Sequence, residues 1–320
     1  MNIGVLGTGF GAYHVELLSK MKHIGRIVVF GRNEVKLQKL QEELKVEVTT
    51  DIADILFDAD IDVIDICLPT PLHKHYAIEA LKNGKHVFCE TPVCYEMADA
   101  LEMQQAAAQY GRRIFINQFI KFDPAYRYLY ESVHQQKYGK LLSFSLTRET
   151  SPMWGDLGLD SITTNLMIHD LDFLTWLLGA ADKFTVWGTN AGKDGEALVR
   201  VFFEQSDVSA EILVSSQMPE TYPFTVGYEA FFEHAKLIFR ESDDIKGVIE
   251  STLYEYTSSG REVLILEKAN PYEQSIEYAL QCLHEGSESL LSLNNAIEAL
   301  EIAIEIKNRL AWGNVLLHPY

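Results

Sequence analysis

The residues best suited to chemistry in this 320-residue chain begin with a glycine-rich turn, Gly7-Thr-Gly-Phe-Gly-Ala12, directly after an apolar segment. Glycine at position 7 permits a tight strand-to-helix turn, Gly9 lets the backbone approach a pyrophosphate, and a small residue at Ala12 lets the helix pack on the sheet. The helix amides and dipole would then face the phosphates. The pattern predicts a dinucleotide site whose contacts come from Gly7, Thr8, Gly9, Phe10 and Gly11.

A second chemical group is formed by Asn165, His169 and Asp172, spaced four and three residues apart. This spacing puts all three on one face of an α-helix. Hydride transfer at an alcohol carbon must be matched by proton movement at its oxygen, and only the imidazole of His169 titrates near neutral pH. Asn165 can orient a hydroxyl or the imidazole but carries no charge. The alternatives are a packed core histidine and, for Asp172, a structural hydrogen bond.

The residues after the second predicted strand bear on the choice of cofactor. The chain reads Phe30-Gly-Arg-Asn33 where NAD enzymes place a carboxylate for the ribose 2′-hydroxyl, and an arginine there suits a 2′-phosphate. Arg32 therefore predicts NADP as the preferred cofactor. The alternative is NAD, with Arg32 a solvated charge and Glu34 holding the ribose.

The predicted secondary structure that positions these residues changes near residue 122, from alternating strands and helices to a series of strands. Strands alternate with helices up to about residue 118, which predicts a doubly wound parallel sheet with a ligand crevice at the carboxyl ends of its strands. After Asp123-Pro124, strands separated by polar turns predict a large, mostly antiparallel open sheet. The fold class is therefore α/β, with a Rossmann domain at 1–121. Residues 122–320 form an α+β domain for substrate binding and oligomerisation, whose last helix is a candidate to pack back on the first domain.

Composition excludes several classes of protein. The formal charge of −19, from 46 acidic and 27 basic side chains, repels nucleic acid and anionic membranes. The sequence shows neither an apolar run long enough to span a bilayer nor a signal segment, which predicts a soluble, cytoplasmic protein with a small-molecule substrate. The cysteines lack CxxC pairing and are expected to be buried thiols, with no metal bound.

The second domain also carries apolar residues on both faces of its predicted strands. The residues concerned are Phe224, Val226, Tyr228, Phe231 and Phe232. One covering helix leaves part of such a surface exposed, and exposed apolar patches usually mark interfaces. We therefore expect a homodimer or tetramer formed through the C-terminal sheet.

Several segments together resemble the Gfo/Idh/MocA family, named for glucose-fructose oxidoreductase and inositol dehydrogenase. They are Pro69-Thr-Pro-Leu-His73, Gly84-Lys-His-Val-Phe-Cys-Glu-Thr-Pro92, Phe122-Asp-Pro-Ala-Tyr126 and the helix from Asn165 to Asp172. The resemblance covers nearly the whole chain. It implies a Rossmann domain, a second domain with an open sheet that forms oligomers, and NAD(P)-dependent chemistry on a sugar, cyclitol or related polyol. By the same resemblance, Pro69, Thr70, His73 and Glu90 are cofactor-binding candidates.

The chain departs from the family pattern at two catalytic positions. The pattern Glu-Lys-Pro appears as Glu90-Thr91-Pro92, and the first aspartate of Asp-x-x-x-His-x-x-Asp is Asn165. Thr91 can only share a hydrogen bond, and Lys121 is a weak candidate to replace the lost lysine near the substrate. The leading interpretation is an oxidoreductase that transfers a hydride between a nicotinamide cofactor and a polyhydroxylated substrate through a degenerate Thr91/Asn165/His169 site. The alternatives are an inactive NAD(P)-binding sensor or regulator, and a reductase of a conjugated substrate.

Overall fold

The computed structural model describes residues 1–151, 155–179, 183–190, 192, 194–205, 207–244 and 246–311. The strands in this part of the chain are β1 (Ile3–Leu6), β2 (Ile27–Phe30), β3 (Glu47–Thr49), β4 (Val63–Ile66), β5 (His86–Cys89), β6 (Ile114–Ile116), β7 (Leu141–Glu149), β8 (Phe184–Thr189), β9 (Leu198–Gln205), β10 (Val208–Ser215), β11 (Phe224–Phe232), β12 (Ala235–Asp243), β13 (Ile249–Thr257) and β14 (Gly260–Leu264). The α-helices are α1 (Gly11–Leu18), α2 (Glu34–Leu44), α3 (Ala53–Leu56), α4 (His73–Lys82), α5 (Met97–Tyr110), α6 (Pro124–His134), α7 (Ile168–Leu178), α8 (Pro271–Glu285) and α9 (Leu293–Ala311). None of the described helices is long and apolar enough to cross a membrane.

The chain separates into two compact units. The first contains Met1–Phe119 and Asn270–Ile297, and the second contains Ile120–Ala269 and the chain from Glu298 onward. The sequence predicted a boundary between residues 121 and 122 and assigned everything after it to the second domain. The structure instead groups 270–297 with the first unit, so the helix α9 begins in one unit and continues in the other.

Hydrogen bonds explain why the segment 270–297 belongs to the first unit. Asn270 caps α8 and donates its side-chain amide to the Tyr13 hydroxyl at 2.6 Å. Arg113 donates to the carbonyl of Cys282 at 2.9 Å, and the amide of Ile116 donates to the carbonyl of Leu291 at 2.8 Å. Through these hydrogen bonds, the segment 270–297 is attached to β6 and to α1, the helix after the glycine turn.

The first unit is built on a six-stranded parallel sheet in the order β3-β2-β1-β4-β5-β6. Its middle strands are apolar because both faces are covered, and β1 and β4 are buried along their whole length. The strand order reverses between β1 and β4, which pair in register from Ile3 opposite Val63 to Leu6 opposite Ile66. In such sheets the ligand crevice lies at the carboxyl ends of the strands at this switch point. The predicted Rossmann-type α/β fold is confirmed.

The second unit contains an eight-stranded sheet in the order β14-β13-β12-β11-β7-β10-β9-β8 among the described residues. Neighbouring strands are antiparallel except β7 and β10, which run parallel. Tyr126 of α6 packs on one face of this sheet, with ring centroids 5.6 Å from Tyr228 and 5.7 Å from Phe239. The predicted large, mostly antiparallel sheet is confirmed.

The apolar residues that suggested an exposed surface divide between two faces of this sheet. Val226, Tyr228 and Phe232 are buried on the face covered by α6, so they do not form a surface patch. Phe231 alternates to the opposite face and is 42% exposed. Trp187 and Phe202, also exposed, lie on that opposite face, which we call the outer face.

Candidate functional site

The glycine turn joins β1 to α1 and has the backbone that a nucleotide turn requires. Gly7 has φ of +118°, and a β-carbon there would lie 2.6 Å from the carbonyl oxygen of Cys67. A β-carbon at Gly9, in contrast, would meet nothing within 4 Å. Gly7 is thus required by the fold, whereas Gly9 borders open space that a phosphate group could fill.

The structure corrects the position at which α1 packs on the sheet. The sequence assigned this role to Ala12, which is only partly buried. Gly11 is fully buried instead, and a β-carbon there would lie 3.0 Å from Cβ of Cys67 and 3.3 Å from Cγ1 of Val5. The close approach comes one residue earlier because α1 begins at Gly11.

The end of β2 lies next to the glycine turn. A β-carbon at Gly31 would be 2.5 Å from Cγ2 of Thr8, so these two loops are in contact. The following residue, Arg32, is exposed, and Asn33 caps α2 by accepting a hydrogen bond from the amide of Lys36 at 3.1 Å. The Asn33 cap fixes the start of α2, so the backbone of Arg32 lies beside the glycine turn. The side chain of Arg32 is exposed.

The loop after β4 was expected to supply cofactor contacts from Pro69, Thr70 and His73. Pro69 is exposed and Thr70 is partly exposed. The ring of His73 is only 1% exposed, with Nε2 2.7 Å from the carbonyl oxygen of Leu68 and Nδ1 3.0 Å from that of Pro92. Burial lowers the pKa of His73. Both ring nitrogens face backbone carbonyls, so the ring lies between the loops after β4 and β5. Cofactor contact by Pro69, Thr70 and His73 stays a prediction.

Glu90, at the carboxyl end of β5, belongs to a buried polar network that the sequence analysis missed. Its Oε1 accepts a hydrogen bond from Nδ2 of Asn117 at 2.5 Å and lies 2.9 Å from Nε2 of His14. The other ring nitrogen of His14, Nδ1, lies 2.9 Å from Oδ2 of Asp65. His14 is fully buried on α1 together with Gly11, Val15 and Leu18. A histidine on the apolar face of that helix was the available signal.

Three members of this region have the spacing of a metal site within the described residues. Donor atoms of His14, Asp65 and Cys67 lie within 4.8 Å of one another. Hydrogen-bond distances account for this spacing, since Sγ of Cys67 is 3.3 Å from Nδ1 of His14 and 3.4 Å from Oδ1 of Asp65. Burial raises the pKa of the Cys67 thiol, which disfavours the thiolate that a metal would bind. We interpret the group as hydrogen-bonded, and the absence of a bound metal stays a prediction.

His169 lies in α7 of the second unit, next to a buried ion pair. Arg148 of β7 donates to both carboxylate oxygens of Asp170, at 2.7 and 3.1 Å, and both side chains are almost completely buried. Burial, and then the positive charge of Arg148, lower the pKa of His169 far below its usual value. At neutral pH the ring is therefore an uncharged imidazole, and the lowered pKa makes it a weak base. The sequence analysis missed Arg148, which no motif marked.

The two substrate candidates Lys121 and Asp172 bind each other. Nζ of Lys121 donates to Oδ1 of Asp172 at 2.8 Å, and their side chains are 1% and 3% exposed. A buried lysine is stable only when it is paired, so this ion pair explains both residues structurally. Their participation in substrate binding stays a prediction.

The remaining catalytic candidates are Asn165 and Thr91. Asn165 does not lie on a regular α-helix with His169, because Thr163–Met167 form a π-helical turn before α7 begins. The single helical face that α-helical spacing predicted for Asn165, His169 and Asp172 is therefore altered at Asn165. Turns of the π-helical kind are rare in proteins as a whole, but those that occur are often found at functional sites. Thr91 is partly exposed, and its amide donates to Oε2 of Glu90 at 3.3 Å.

Comparison with known proteins agrees with this architecture. Residues 1–118 match the model of the Gfo/Idh/MocA oxidoreductase family, described as an NAD-binding Rossmann fold. An uncharacterized oxidoreductase of Bacillus subtilis (strain 168), YrbE, is 22% identical over 331 aligned residues that cover 97% of this chain and 94% of YrbE. Inositol 2-dehydrogenase of Serratia proteamaculans is 28% identical over 183 residues, or 56% of this chain and 54% of that enzyme. The chain thus spans about half the length of that relative.

Solved structures share the fold over almost the whole chain. An oxidoreductase from Agrobacterium radiobacter, solved with NAD⁺, L-tartaric acid and magnesium, has a TM-score of 0.81 at 15% identity and covers 96% of both chains. Biliverdin reductase from Synechocystis, solved with biliverdin and NADP⁺, has a TM-score of 0.78 at 16% identity, covering 96% of this chain and 98% of that one. The Rossmann region, residues 1–118, is thus similar to that of the Gfo/Idh/MocA oxidoreductases, and the solved structures share the fold of the whole chain.

Proposed function

We propose that the protein is a nicotinamide-dinucleotide-dependent oxidoreductase that transfers a hydride between its cofactor and a small, polyhydroxylated, sugar- or cyclitol-like substrate. The observation that carries the proposal is the contrast between Gly7 and Gly9. Gly7 has no room for a side chain, whereas Gly9 borders open space at the switch point of the sheet. A pyrophosphate is the group that such a turn accommodates.

The residues of the first unit fit this cofactor. The turn from Gly7 to Gly11 would hold the pyrophosphate, with the amides at the start of α1 directed towards it. Thr8 and the exposed Arg32 lie at the end of β2, where the 2′-phosphate of NADP is recognised in this fold. NADP is therefore the preferred cofactor in the proposal and NAD the alternative. Bound there, the nicotinamide supplies or accepts the hydride.

The proton of the reaction is assigned to His169. In the direction of alcohol oxidation a base must take the hydroxyl proton as the hydride leaves, and the imidazole of His169 is the group among these candidates that can take it, although its lowered pKa makes it a weak base. Asn165 orients the hydroxyl or the ring, and Thr91 shares a hydrogen bond with the substrate. Arg148 acts on this step indirectly, because its charge lowers the basicity of His169.

The substrate class is supported by relatives rather than by a pocket. The partial match to inositol 2-dehydrogenase favours a cyclitol or related polyol. Biliverdin reductase shares the fold, which keeps a conjugated substrate as an alternative. A catalytically inactive sensor or regulator is a second candidate function, favoured by Thr91 and Asn165, since neither side chain can exchange a proton.

The cofactor part of the proposal is tested by fluorescence titration of the full chain with NADPH and NADH. The Gly9→Val variant should lose binding at least about tenfold because its side chain fills the open space, while its melting temperature stays that of the parent. Ala98→Val, at an exposed position of α5, is the matched control and should bind normally. Undiminished binding by Gly9→Val would contradict a dinucleotide at this turn.

A further inference from the structure

The buried network around His14 is unusual because one imidazole lies between two carboxylates. Nδ1 lies 2.9 Å from Asp65 of β4, and Nε2 lies 2.9 Å from Glu90, the residue after β5. The ring itself is fully buried, and the side chains of the two carboxylates are 3% and 14% exposed. A neutral imidazole has one N–H and can donate to only one of the carboxylates. Nδ1 makes a hydrogen bond with Asp65, whereas Nε2 lies within ion-pair distance of Glu90 without hydrogen-bond geometry. An imidazolium, whose charge attracts both carboxylates, fits this arrangement.

The groups that face His14 come from several elements. Besides Asp65 of β4, the residue that follows this strand, Cys67, contributes its thiol, whose Sγ is 3.3 Å from Nδ1. The rings of Phe10 and Phe88 lie 5.3 and 6.1 Å from the imidazole by centroid distance. Burial opposes the charged form, but Asp65 and then Cys67 outweigh it and raise the pKa of His14 well above its usual value. The charges around the ring thus favour the same protonation state as its contacts.

The network continues from Glu90 to the segment contributed by α8. Asn117, which follows β6, donates to Oε1 of Glu90 at 2.5 Å, and Ser275 of α8 donates to Oδ1 of Asn117 at 2.7 Å. Glu90 is therefore held from two sides, by His14 and by Asn117. Oε2 of the same carboxylate accepts from the Thr91 amide at 3.3 Å, so the network reaches the loop that follows β5.

We propose that His14 is a positioning residue that holds the Glu90 carboxylate, and with it the loop Glu90-Thr91-Pro92, in the conformation that receives the nicotinamide dinucleotide. His14 follows Gly11 of the glycine turn by three residues, so one side chain connects the turn at β1 to the carboxyl ends of β4 and β5. These three strands border the switch point of the sheet. That the ligand is a nicotinamide dinucleotide rests on the proposed function. The position of His14 between the two carboxylates is independent of that function.

The spectroscopic test uses the full chain labelled with ¹⁵N-histidine. The His14 signals, assigned by their loss in His14→Gln, should show both ring nitrogens protonated at pH 8, whereas an ordinary histidine with a pKa near ~6.5 is neutral there. The exposed His75 serves as the internal comparison. Glu90→Gln removes one of the two carboxylates and should lower the pKa of His14 measurably. A neutral His14 at pH 8, or one indifferent to Glu90→Gln, would overturn the proposal.

The binding test is a double-mutant cycle measured with NADPH and NADH. His14→Gln and Glu90→Gln should each raise the dissociation constant about fivefold or more, and the double variant should be no weaker than the worse single variant. His75→Gln is the matched control and should bind as the parent does. Effects that multiply in the double variant, or unchanged binding in His14→Gln, would exclude an action through Glu90.

Two further outcomes separate this proposal from the proposed function. If the parent binds neither dinucleotide, the proposed function fails, whereas normal binding by the parent and His14→Gln alike contradicts only the role of His14. If His14→Gln does not fold, Glu90→Gln carries the test through its dissociation constant and the His14 signals. If Glu90→Gln changes neither the dissociation constant nor the His14 signals, the proposal is overturned.

Discussion

At the scale of single residues, the account depends on His169 as the group that moves the proton. Replacing it in His169→Ala should lower kcat by at least about a hundredfold, since general acid–base groups typically contribute a hundredfold to ten-thousandfold. Cofactor binding should change little. The measurement is steady-state turnover with a substrate found in a polyol panel, beside dinucleotide titration. His75→Ala, at an exposed position, is the control, and parent-like turnover in His169→Ala would remove the assigned role.

The lowered pKa of His169 leads to a prediction about pH. A histidine with a depressed pKa stays neutral below the usual midpoint near ~6.5, so its proton-accepting form persists into the acid range. The profile of kcat/KM for alcohol oxidation should therefore show no acid limb at that midpoint. Circular dichroism over the same range controls for unfolding. A limb near pH 6.5 that disappears in His169→Ala would show that the ring has an ordinary pKa.

Arg32 is the residue that we predict to decide between the two cofactors. Its charge can form hydrogen bonds to a 2′-phosphate, an interaction of about 1.5–3 kcal/mol that NADH cannot make. Arg32→Ala should raise the dissociation constant of NADPH about tenfold or more and leave that of NADH nearly unchanged. Lys36→Ala, a nearby exposed charge on α2, is the matched control in the fluorescence titration. Tighter binding of NADH by the parent, unchanged in Arg32→Ala, would refute the preference for NADP.

At the scale of elements, the sequence predicted the first unit well because its strands are continuous apolar runs between helices. The apolar segment predicted before the glycine turn is β1, and the predicted last helix is α9. The polar strand β13 was missed, since Leu253 is its one buried residue and no alternating pattern results. The π-helical turn at Asn165 was also missed, because residue spacing alone carries no signal for an i to i+5 helix.

The sequence identified residues of the candidate site only where the role of a residue depends on its immediate neighbours in the chain. The glycine turn was found because Gly7 needs a positive φ, a property of one position. The contacts of His14 with Asp65 and Glu90, and of Arg148 with Asp170, join residues distant in the sequence. Lys121 and Asp172 were both named as candidates, but their mutual contact could not be foreseen from a separation of 51 residues.

At the scale of the whole molecule, the outer face of the second sheet supports the prediction of a homodimer or tetramer. Trp187, Phe202 and Phe231 are 47%, 44% and 42% exposed on one side of that sheet. Trp187 and Phe202 lie on neighbouring strands, whereas Phe231 lies on β11, separated from them by β10 and β7. Exposed aromatic residues are enriched at interfaces. Light scattering should show more than one copy at micromolar concentration, and the double variant Trp187→Asp, Phe202→Asp should be monomeric with its fold intact. A monomeric parent would contradict the prediction.

The proposed function requires that the protein turn over a nicotinamide cofactor, and cofactor binding alone does not distinguish an enzyme from a sensor. The most direct measurement follows the absorbance of reduced nicotinamide while the full chain is mixed with NADPH, NADH or their oxidised forms and a panel of polyols, sugars and conjugated ketones. The account predicts turnover with at least one polyhydroxylated member, catalysed by the parent and largely lost in His169→Ala. Dinucleotide binding without turnover on any member of the panel would contradict the claim and favour the sensor.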